Sequence, residues 1–559
     1  MTTKKISALG ELAVAPATDD KIPVVDVTAG ETKRVEAGDT RSKYLSDLTG
    51  ESIEDFSDVD SSMTPTEGQG LIHDGAEWTA QDFTIVSGGS GDFVASGAIA
   101  NGDVVVVKSD GTAEIISNFT AGAGTAVNFD TASSLALSCA YDSTNSKVVV
   151  AYSDTDNSSY GTAIVGTITG TSISWGTGVV FVSGDISNDT AVSFDEGAGK
   201  VLIAYVDFVD SFGRAIVGTV SGTSISFGTP AVFDGAGITR YGAIGLCYDP
   251  INASHALLYA GSGSSGYGTA LVATISGTTV SFGTPTTFDS AGISLHYHAV
   301  YNAAEAAIYS AYTRSSTLRG IAGTISGTTI TMGSVASSVA IIAAEPSTAY
   351  DTVNEKCVTV FRASAGDVRA AVVTLTGTSV SFGTSVQVDT ATGASVFSAG
   401  YDSTSGEIAI AYKDANNSNY GTAVPGTVSG TSISFGSTTV LNTAQSEFYA
   451  PGLAEVVPNG GVLIIYRDQG NSGRGTGIFW IVATSTNVTT ENVIGFASAA
   501  INDTDTGTIT MDGGLSTNQS GLTTGDTYYV DDDGTLTTTG NGRKIGRALS
   551  ATSILVQTA

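Results

Sequence analysis

The sequence predicts an all-β protein built around a seven-bladed β-propeller of four-stranded blades, with small N-terminal and C-terminal β modules. Two independent markers recur with one period. The first is the turn GTSISWG at residues 170–176, with near copies that begin at Gly222, Gly277, Gly327, Gly377 and Gly430. The second is an aromatic residue inside a short apolar run, at Tyr152, Tyr205, Tyr259, Tyr312, Phe361, Tyr412 and Tyr466. A period of about 50 residues is typical of propeller blades.

Each repeat contains four segments with the pattern of β-strands. In the first repeat they are residues 135–141, 147–152, 161–169 and 171–181, which alternate small or polar residues with β-branched and aromatic ones. The connecting sequences, such as YDSTNSK and ITGT, are rich in turn-forming residues. Four strands per repeat therefore predict one propeller blade each.

The strand count also predicts how the ring closes. The first three strand types occur seven times, but the last repeat ends near residue 484 without a complete fourth strand. The segment GTAVNF at residues 124–129 resembles GTPAVF at residues 228–233, where a fourth strand ends. We therefore expect the N-terminal segment to supply the outer strand of the last blade, which removes an exposed sheet edge.

Composition narrows the range of functions. The chain has 559 residues, 69 of them Gly, and only 23 Lys and Arg against 54 Asp and Glu, which gives a net charge of −31. This charge disfavours binding to nucleic acids or to anionic membranes. The sequence has no apolar run long enough to insert into a membrane and no apolar signal segment near residue 1. The three cysteines lie in separate strands and are expected to be buried thiols.

The flanking segments carry a family resemblance. Residues 5–9 (KISAL) and 19–26 (DDKIPVVD) resemble the opening of bacteriophage tail-fibre and other virion proteins. Residues 53–78 are similar to a linker unit of phage fibres, although Gly70 replaces the usual Val and the closing Pro is absent. Residues 520–550 resemble small β-domains of phage appendages.

This resemblance implies a virion component, commonly a homotrimer, whose N-terminal segment attaches to other virion proteins. It also implies assembly in the host cytoplasm and a final location on the extracellular particle. The expected domains are an attachment segment at 1–50, a fibre-type linker at 51–84, a small β segment at 85–120, the propeller at 121–486 and a C-terminal β-domain at 487–559.

The sequence contains no recognisable catalytic motif. Arginines occur at several blade loops but follow no single repeat register, so they do not predict the arginine cluster of a sialidase. His296 and His298 would share one face of a strand, but no third metal ligand lies nearby. We therefore expect a protein that is not an enzyme and that has no metal site and no cofactor.

A ligand site is expected on the propeller face where strand 2 connects to strand 3 and strand 4 connects to the next blade. An aromatic residue precedes a Gly at the second-to-third strand connection of four blades, namely Tyr160, Phe212, Tyr267 and Tyr420. Arg319 and Arg474 take this place in blades 4 and 7. Aromatic and arginine side chains favour recognition of a glycan or a protein. The alternative is that the rings only cover the blade ends.

Three functions follow as hypotheses. The first is a tail fibre or spike whose propeller binds a glycan or protein on the host surface. The second is a head fibre or decoration protein with a structural or weakly adhesive propeller. The third is a propeller-type glycoside hydrolase.

Overall fold

The computed structural model describes residues 89–558 and, before them, the backbone of four strands. Within 89–558, the loops at 109–110, 187–189, 239–243, 262–265, 292–297, 341–345, 364–365, 389–396, 457–459, 489–491 and 541–542 lie outside the description. The four earlier strands form two hairpins, Lys21–Asp26 with Glu31–Glu36 and Gln69–His73 with Trp78–Asp82. The rest of the predicted attachment and linker segments lies outside the described residues.

The predicted seven-bladed propeller is confirmed, with one difference in the fourth strand. Strands 1 to 3 of each blade pair in sequence order, and both halves of strand 4, which we name 4a and 4b, pair with strand 3 in blades 1 to 6. In blade 1, for example, Ser174 of strand 4a pairs with Thr167, and Val180 of strand 4b pairs with Thr162. A break at residues 176–178 separates the two halves, so the fourth strand bends but keeps one partner.

The strand bounds, given for strands 1, 2, 3, 4a and 4b in turn, are as follows. Blade 1 has Val127–Asp142, Lys147–Asp154, Tyr160–Thr169, Ser172–Trp175 and Val179–Asp185; blade 2 has Thr190–Asp195, Lys200–Asp207, Phe212–Ser221, Ser224–Phe227 and Ala231–Asp234; blade 3 has Ile244–Asp249, Ser254–Gly261, Tyr267–Ser276, Thr279–Phe282 and Thr286–Asp289. Blade 4 has His298–Asn302, Ala307–Arg314, Thr317–Ser326, Thr329–Met332 and Ala336–Ala340; blade 5 has Ser347–Asp351, Lys356–Arg362, Val368–Thr376, Ser379–Phe382 and Val386–Gln387. Blade 6 has Phe397–Asp402, Glu407–Asp414, Tyr420–Ser429, Ser432–Phe435 and the start of Thr439–Val456; blade 7 has the end of that strand, Gly461–Asp468 and Arg474–Ile481. Two short 3-10 turns, Thr155–Asn157 and Gln469–Asn471, follow strand 2 in blades 1 and 7.

The N-terminal strand closes the ring as predicted. The first part of Val127–Asp142 pairs with strand 3 of blade 7, where Val127 lies opposite Gly477. The second part of the same strand is strand 1 of blade 1, where Ser138 lies opposite Ala151. One continuous strand therefore serves the last blade and the first, and Gly122–Ala123 extends the pairing along Trp480 and Ile481.

Glycine is required where each of blades 1 to 5 touches the next. The residue after strand 4a approaches the backbone of the turn between strands 3 and 4a in the following blade. A Cβ atom on Gly176 would lie 2.0 Å from the carbonyl oxygen of Thr223, and one on Gly228 would lie 1.8 Å from that of Thr278. At the ring closure, a Cβ on Gly124 would lie 2.1 Å from the carbonyl oxygen of Thr171. The glycine of the repeated GTSISFG marker is thus fixed by the packing between blades.

The two segments that flank the propeller form one structure. Ser90–Val94, Val104–Val107 and Ala113–Ile115 share a five-stranded sheet with Val493–Ala497 and Thr506–Thr510. A second sheet contains Leu515–Ser516, Thr527–Val530, Leu536–Thr537, Lys544–Ala548 and Ile554–Val556. The shared core includes Val104, Val106, Phe496, Val530 and Ile545. The sequence suggested separate modules at 85–120 and 487–559, whereas the structure joins them into a small domain into which the propeller is inserted.

The described residues contain no helix of the length and apolar character that a membrane span requires.

Candidate ligand-binding face

In blades 1, 6 and 7, the loop between strands 2 and 3 is capped by an aspartate at the end of strand 2. In blade 1, Asp154 accepts hydrogen bonds from the backbone N–H groups of Asp156 and Asn157, both at 3.2 Å. Asp414 and Asp468 cap the corresponding loops of blades 6 and 7 through their own carboxylates. A left-handed serine follows in each, with φ of 58° at Ser158, 55° at Ser418 and 58° at Ser472. These capped turns hold the first residue of strand 3 at the face.

Four of the predicted site residues occupy one equivalent position. Tyr160, Phe212, Tyr267 and Tyr420 each begin strand 3, opposite the last residue of strand 2, and each is half-buried. Arg474 has the same position in blade 7, opposite Asp468. The structure therefore places these five residues at the same height around the ring, where part of each side chain meets solvent.

The prediction for Arg319 is wrong in register. Blade 4 begins strand 3 at Thr317, which pairs with Arg314, so Thr317 is the counterpart of Tyr160. Arg319 lies two residues further along and faces Tyr312. The reason is the loop between strands 2 and 3, which is reduced to Ser315 and Ser316 in this blade.

Arg319 instead belongs to a second set of arginines, opposite the core aromatic residue of strand 2. Its counterparts are Arg214, opposite Tyr205, and Arg369, opposite Phe361. The Arg319 guanidinium donates to the Ser337 hydroxyl. Arg369 donates to Asp367 at 3.2 Å and to Ser385.

Arg214 is held by two carboxylates. It donates to Asp207 at 2.8 Å and to both oxygens of Asp210, at 2.9 and 2.6 Å. Its hydrogen bonds lower the pKa of the Asp210 carboxyl. The guanidinium carbon also lies 5.5 Å from the centre of the Phe212 ring, within cation–π distance. This arginine is therefore fixed in place and its charge is neutralised locally.

Two more arginines of the face are paired. Arg314 donates to Asp289 at 2.5 Å, and the same carboxylate accepts the Tyr312 hydroxyl at 2.7 Å. Arg467 donates to Glu447 at 3.0 Å and to Ser133 at 2.9 Å across the ring closure.

Arg362 and Arg474 differ from these five. Among the described residues, neither guanidinium has a hydrogen-bond or ion-pair partner, and both side chains are half-buried. The Arg474 Nε is shielded from solvent and has no hydrogen-bond acceptor. Sequence reasoning selected Arg474 but missed Arg362, because the repeat register of the arginines appears only when the strands are aligned by their pairing.

The basic residues are concentrated on this face. All seven described arginines of the propeller lie near the end of strand 2 or the start of strand 3, and Lys413 is the next-to-last residue of strand 2 in blade 6. The other lysines of the propeller, Lys147, Lys200 and Lys356, begin strand 2 at the opposite face. The opposite face thus contains none of the described guanidinium groups.

Of the two histidines considered as metal ligands, His298 lies in the described residues, and its ring makes a hydrogen bond within the propeller. His298 begins strand 1 of blade 4, and its Nδ1 accepts the Thr348 N–H at 2.9 Å. Burial lowers its pKa to about 4. His296 lies outside the described residues, and no group of three metal-ligating side chains occurs among those that are described.

The three cysteines are buried free thiols. Burial raises the pKa of all three thiols, that of Cys357 to about 12. A neutral, shielded thiol is a poor nucleophile, so these groups serve as core side chains.

Comparison of the sequence with known protein families gives no match, and comparison with curated proteins gives none. Solved structures do match. The chain is similar to the NanB sialidase of Streptococcus pneumoniae, with 12% identity, a TM-score of 0.38 and coverage of 63% of this chain and 69% of the other. It is also similar to the SapL1 lectin in complex with α-methyl fucoside, with 12% identity, a TM-score of 0.37 and coverage of 56% of this chain and 98% of the lectin. A third match is the periplasmic gluconolactonase PpgL of Pseudomonas aeruginosa, with 10% identity, a TM-score of 0.42 and coverage of 63% of this chain and 96% of the other. At these values the likeness is one of propeller fold alone.

These matches correct one prediction. The expectation that the chain is not an enzyme is contradicted, because the proteins that match its fold include sialidases and a gluconolactonase. Lack of a familiar motif in the sequence was too weak a reason to exclude catalysis on this fold.

Proposed function

We propose that the propeller is a carbohydrate-binding domain whose ligand face is formed by the connections between strands 2 and 3. The observation that carries this proposal is the row of half-buried aromatic side chains at one equivalent position, Tyr160, Phe212, Tyr267 and Tyr420. A ring that is partly packed and partly exposed offers a rigid surface for stacking against a sugar at low cost in conformational entropy.

The loops supply polar groups beside these rings. Asn157, Asn417 and Asn471 lie in the capped turns of blades 1, 6 and 7, each a few residues before the start of strand 3. Amide and guanidinium groups that flank an aromatic ring are suited to hydrogen bonding with sugar hydroxyls. The repeated arrangement favours several binding positions on one domain, which raises the avidity for a polymeric ligand.

The finer proposal is that this domain belongs to a virion appendage and binds a glycan on the host surface. Its support is the resemblance of residues 5–9, 19–26, 53–78 and 520–550 to phage fibre segments. Attachment to other virion proteins through the N-terminal segment, and a homotrimeric state, belong to the same proposal.

A binding assay on immobilised bacterial surface polysaccharides tests the proposed function. The full-length protein should bind at least one polysaccharide, and Tyr160→Ala and Tyr420→Ala should weaken that binding about tenfold, since loss of one hot-spot contact costs more than about 1 kcal/mol. Tyr141→Ala is the matched control, because Tyr141 is a half-buried aromatic of strand 1 near the opposite face.

The same samples should be analysed for new reducing ends. Binding that is lost in the Tyr160 and Tyr420 variants but kept in the Tyr141 variant supports a carbohydrate-binding face. Release of reducing sugar would assign the face to a hydrolase, and equal losses in all three variants would contradict the proposed location.

A further inference from the structure

The carboxylates and cations of the ligand face are distributed unevenly around the ring. Blades 1 to 4, with the N-terminal strand, carry three described arginines at this face against eight described carboxylates, those of Asp130, Asp154, Asp156, Asp185, Asp207, Asp210, Asp234 and Asp289. Among the described residues, blades 5 to 7 carry five cations, Arg362, Arg369, Lys413, Arg467 and Arg474, against the four carboxylates of Asp367, Asp414, Glu447 and Asp468. We name the second region the basic arc.

The four carboxylates of the basic arc are already engaged. Asp367 pairs with Arg369, and Glu447 pairs with Arg467. Asp414 and Asp468 accept the backbone N–H groups of their own turns. No carboxylate within the described parts of the chain pairs with Arg362 or Arg474, so these two positive charges are available to a ligand.

Strand alternation assigns Arg362 to the groove between blades 5 and 6. It follows Val360 by two residues, and Val360 packs in the apolar cluster shared by these blades. On the facing wall, Tyr420 precedes Val424 by four residues, and Val424 belongs to the same cluster. The mouth of this groove thus has a guanidinium on one wall and an aromatic ring on the other.

The groove between blades 6 and 7 has two cations at its mouth. Lys413 follows Ala411 by two residues, and Arg474 precedes Ile478 by four, and both apolar residues belong to the cluster shared by blades 6 and 7. Two like charges on facing walls repel each other, and an anion between them removes that cost.

We propose that the basic arc binds the acidic groups of an anionic saccharide, with Arg362 and Arg474 as the residues that contact its carboxylates or phosphates. The inference rests on the proposed function and adds the chemical class of the ligand. A guanidinium binds either group through two parallel N–H donors, which makes Arg the suitable side chain for planar anion recognition. The protein as a whole has a net charge of −31, so recognition depends on short-range contacts, within the screening length of about 8 Å at physiological ionic strength.

The test compares polysaccharides that differ only in charge. Full-length protein is titrated with a uronate-bearing, a sialate-bearing and a phosphate-bearing polysaccharide, and with the carboxyl-reduced or dephosphorylated form of each. We expect at least tenfold tighter binding to an acidic polymer than to its neutral form. The polymers that are preferred distinguish a carboxylate ligand from a phosphate ligand.

The variants separate the basic arc from general charge effects. Arg362→Gln with Arg474→Gln should weaken binding of the acidic polymer by about tenfold or more, as loss of hydrogen bonds to a charged group does. Lys147→Gln with Lys200→Gln changes the net charge equally on the opposite face and should leave binding within about twofold. Melting temperatures of both double variants check that the propeller stays folded.

The results for the two proposals are distinguishable. If acidic and neutral forms bind equally and Tyr420→Ala weakens the binding of both about tenfold, carbohydrate binding stands and the anion inference is overturned. Unchanged binding of the acidic polymer by the Arg362 and Arg474 variant also overturns it. If none of the polymers binds, both the proposed function and the anion inference fail.

Discussion

The ring of Phe129 lies edge-on to the indole of Trp175, with centroids 5.3 Å apart and planes inclined by 67°. Phe129 also lies 5.3 Å from the ring of Tyr152. The same group of three recurs between blades 2 and 3, where Phe233 contacts Tyr259 and Phe282. The contact at the ring closure is therefore the contact used between blades, but here it joins the two ends of the propeller.

We expect Phe129→Ala to open the ring locally. Removal of a buried phenyl group costs about 3 to 5 kcal/mol, and here the lost contacts are those that hold the N-terminal strand on blade 7. Hydrogen exchange and limited proteolysis of residues 120–133 should increase.

Phe233→Ala is the matched control, because the two side chains are similarly buried: Phe233 is 8% exposed and Phe129 is 7% exposed. It should lower global stability by a similar amount and leave residues 120–133 protected. If residues 120–133 are equally protected from exchange and proteolysis in both variants, the closing strand does not open separately from the rest of the propeller.

We expect Gly228→Ala to destabilise the protein by about 1 to 3 kcal/mol, the usual cost of inserting an atom into a packed site. The added Cβ would meet the Thr278 carbonyl oxygen at 1.8 Å. Backbone atoms on both sides leave little room for adjustment. Denaturant unfolding at equilibrium measures the loss.

Gly436→Ala gives the comparison. Its Cβ would meet the Pro425 side chain at 2.9 Å and no turn of a following blade, because the last blade lacks the GTSISFG hairpin. We expect less than half the loss seen for Gly228→Ala. A loss of the same size would show that the contact between blades is not the source.

The sequence could predict the features that depend on local pattern or on repetition. The period, the four strand types and the donor role of the segment around Phe129 are all visible as repeated residues. The bend between Trp175 and Val179 was missed because the two halves of strand 4 lie in one nearly continuous strand-like run. The register of Arg319 was missed because the loop before strand 3 shrinks from 155–159 in blade 1 to 315–316 in blade 4.

Pairing across the inserted propeller could not be predicted either. Val105 lies opposite Gly495 and Gly91 lies opposite Ile509. The sequence of a short Val-rich strand indicates that it pairs with another strand, but it does not identify a partner that lies about 400 residues away in the chain. The paired charges around Arg214 show the same limit, since which guanidinium groups remain available depends on three-dimensional contacts.

The pH dependence of stability should report on the buried histidines. Burial lowers the pKa of His255 to about 3 and that of His298 to about 4, from 6.5. Between pH 6.5 and 4 the unfolded chain therefore binds more protons than the folded one, so stability falls as the pH falls. His298 accounts for about 3 kcal/mol of this loss by pH 4, at 1.36 kcal/mol per pKa unit.

His298→Ser tests this dependence. Ser138, Ser347 and Ser398 hold the equivalent place in blades 1, 5 and 6 and accept a backbone N–H from the next blade, as His298 does. The variant keeps an acceptor but loses the titrating ring. Urea midpoints at pH 7 and pH 4.5 should therefore differ less in the variant than in the native protein, and identical differences would refute the assignment.

The small domain offers a test of folding across the insertion. Val105 is fully buried in the sheet that joins residues 90–115 to residues 493–510. Val105→Asp places an unpaired charge there, which costs several kcal/mol. Because strand 493–497 lies between this site and strand 506–510, we expect faster hydrogen exchange throughout residues 493–510, with little change in the propeller strands.

Val94→Asp in the same sheet is the control, since Val94 is 43% exposed and a charge there stays hydrated. If exchange at 493–510 is unchanged by Val105→Asp, the two flanking segments fold independently and the joined domain is wrong.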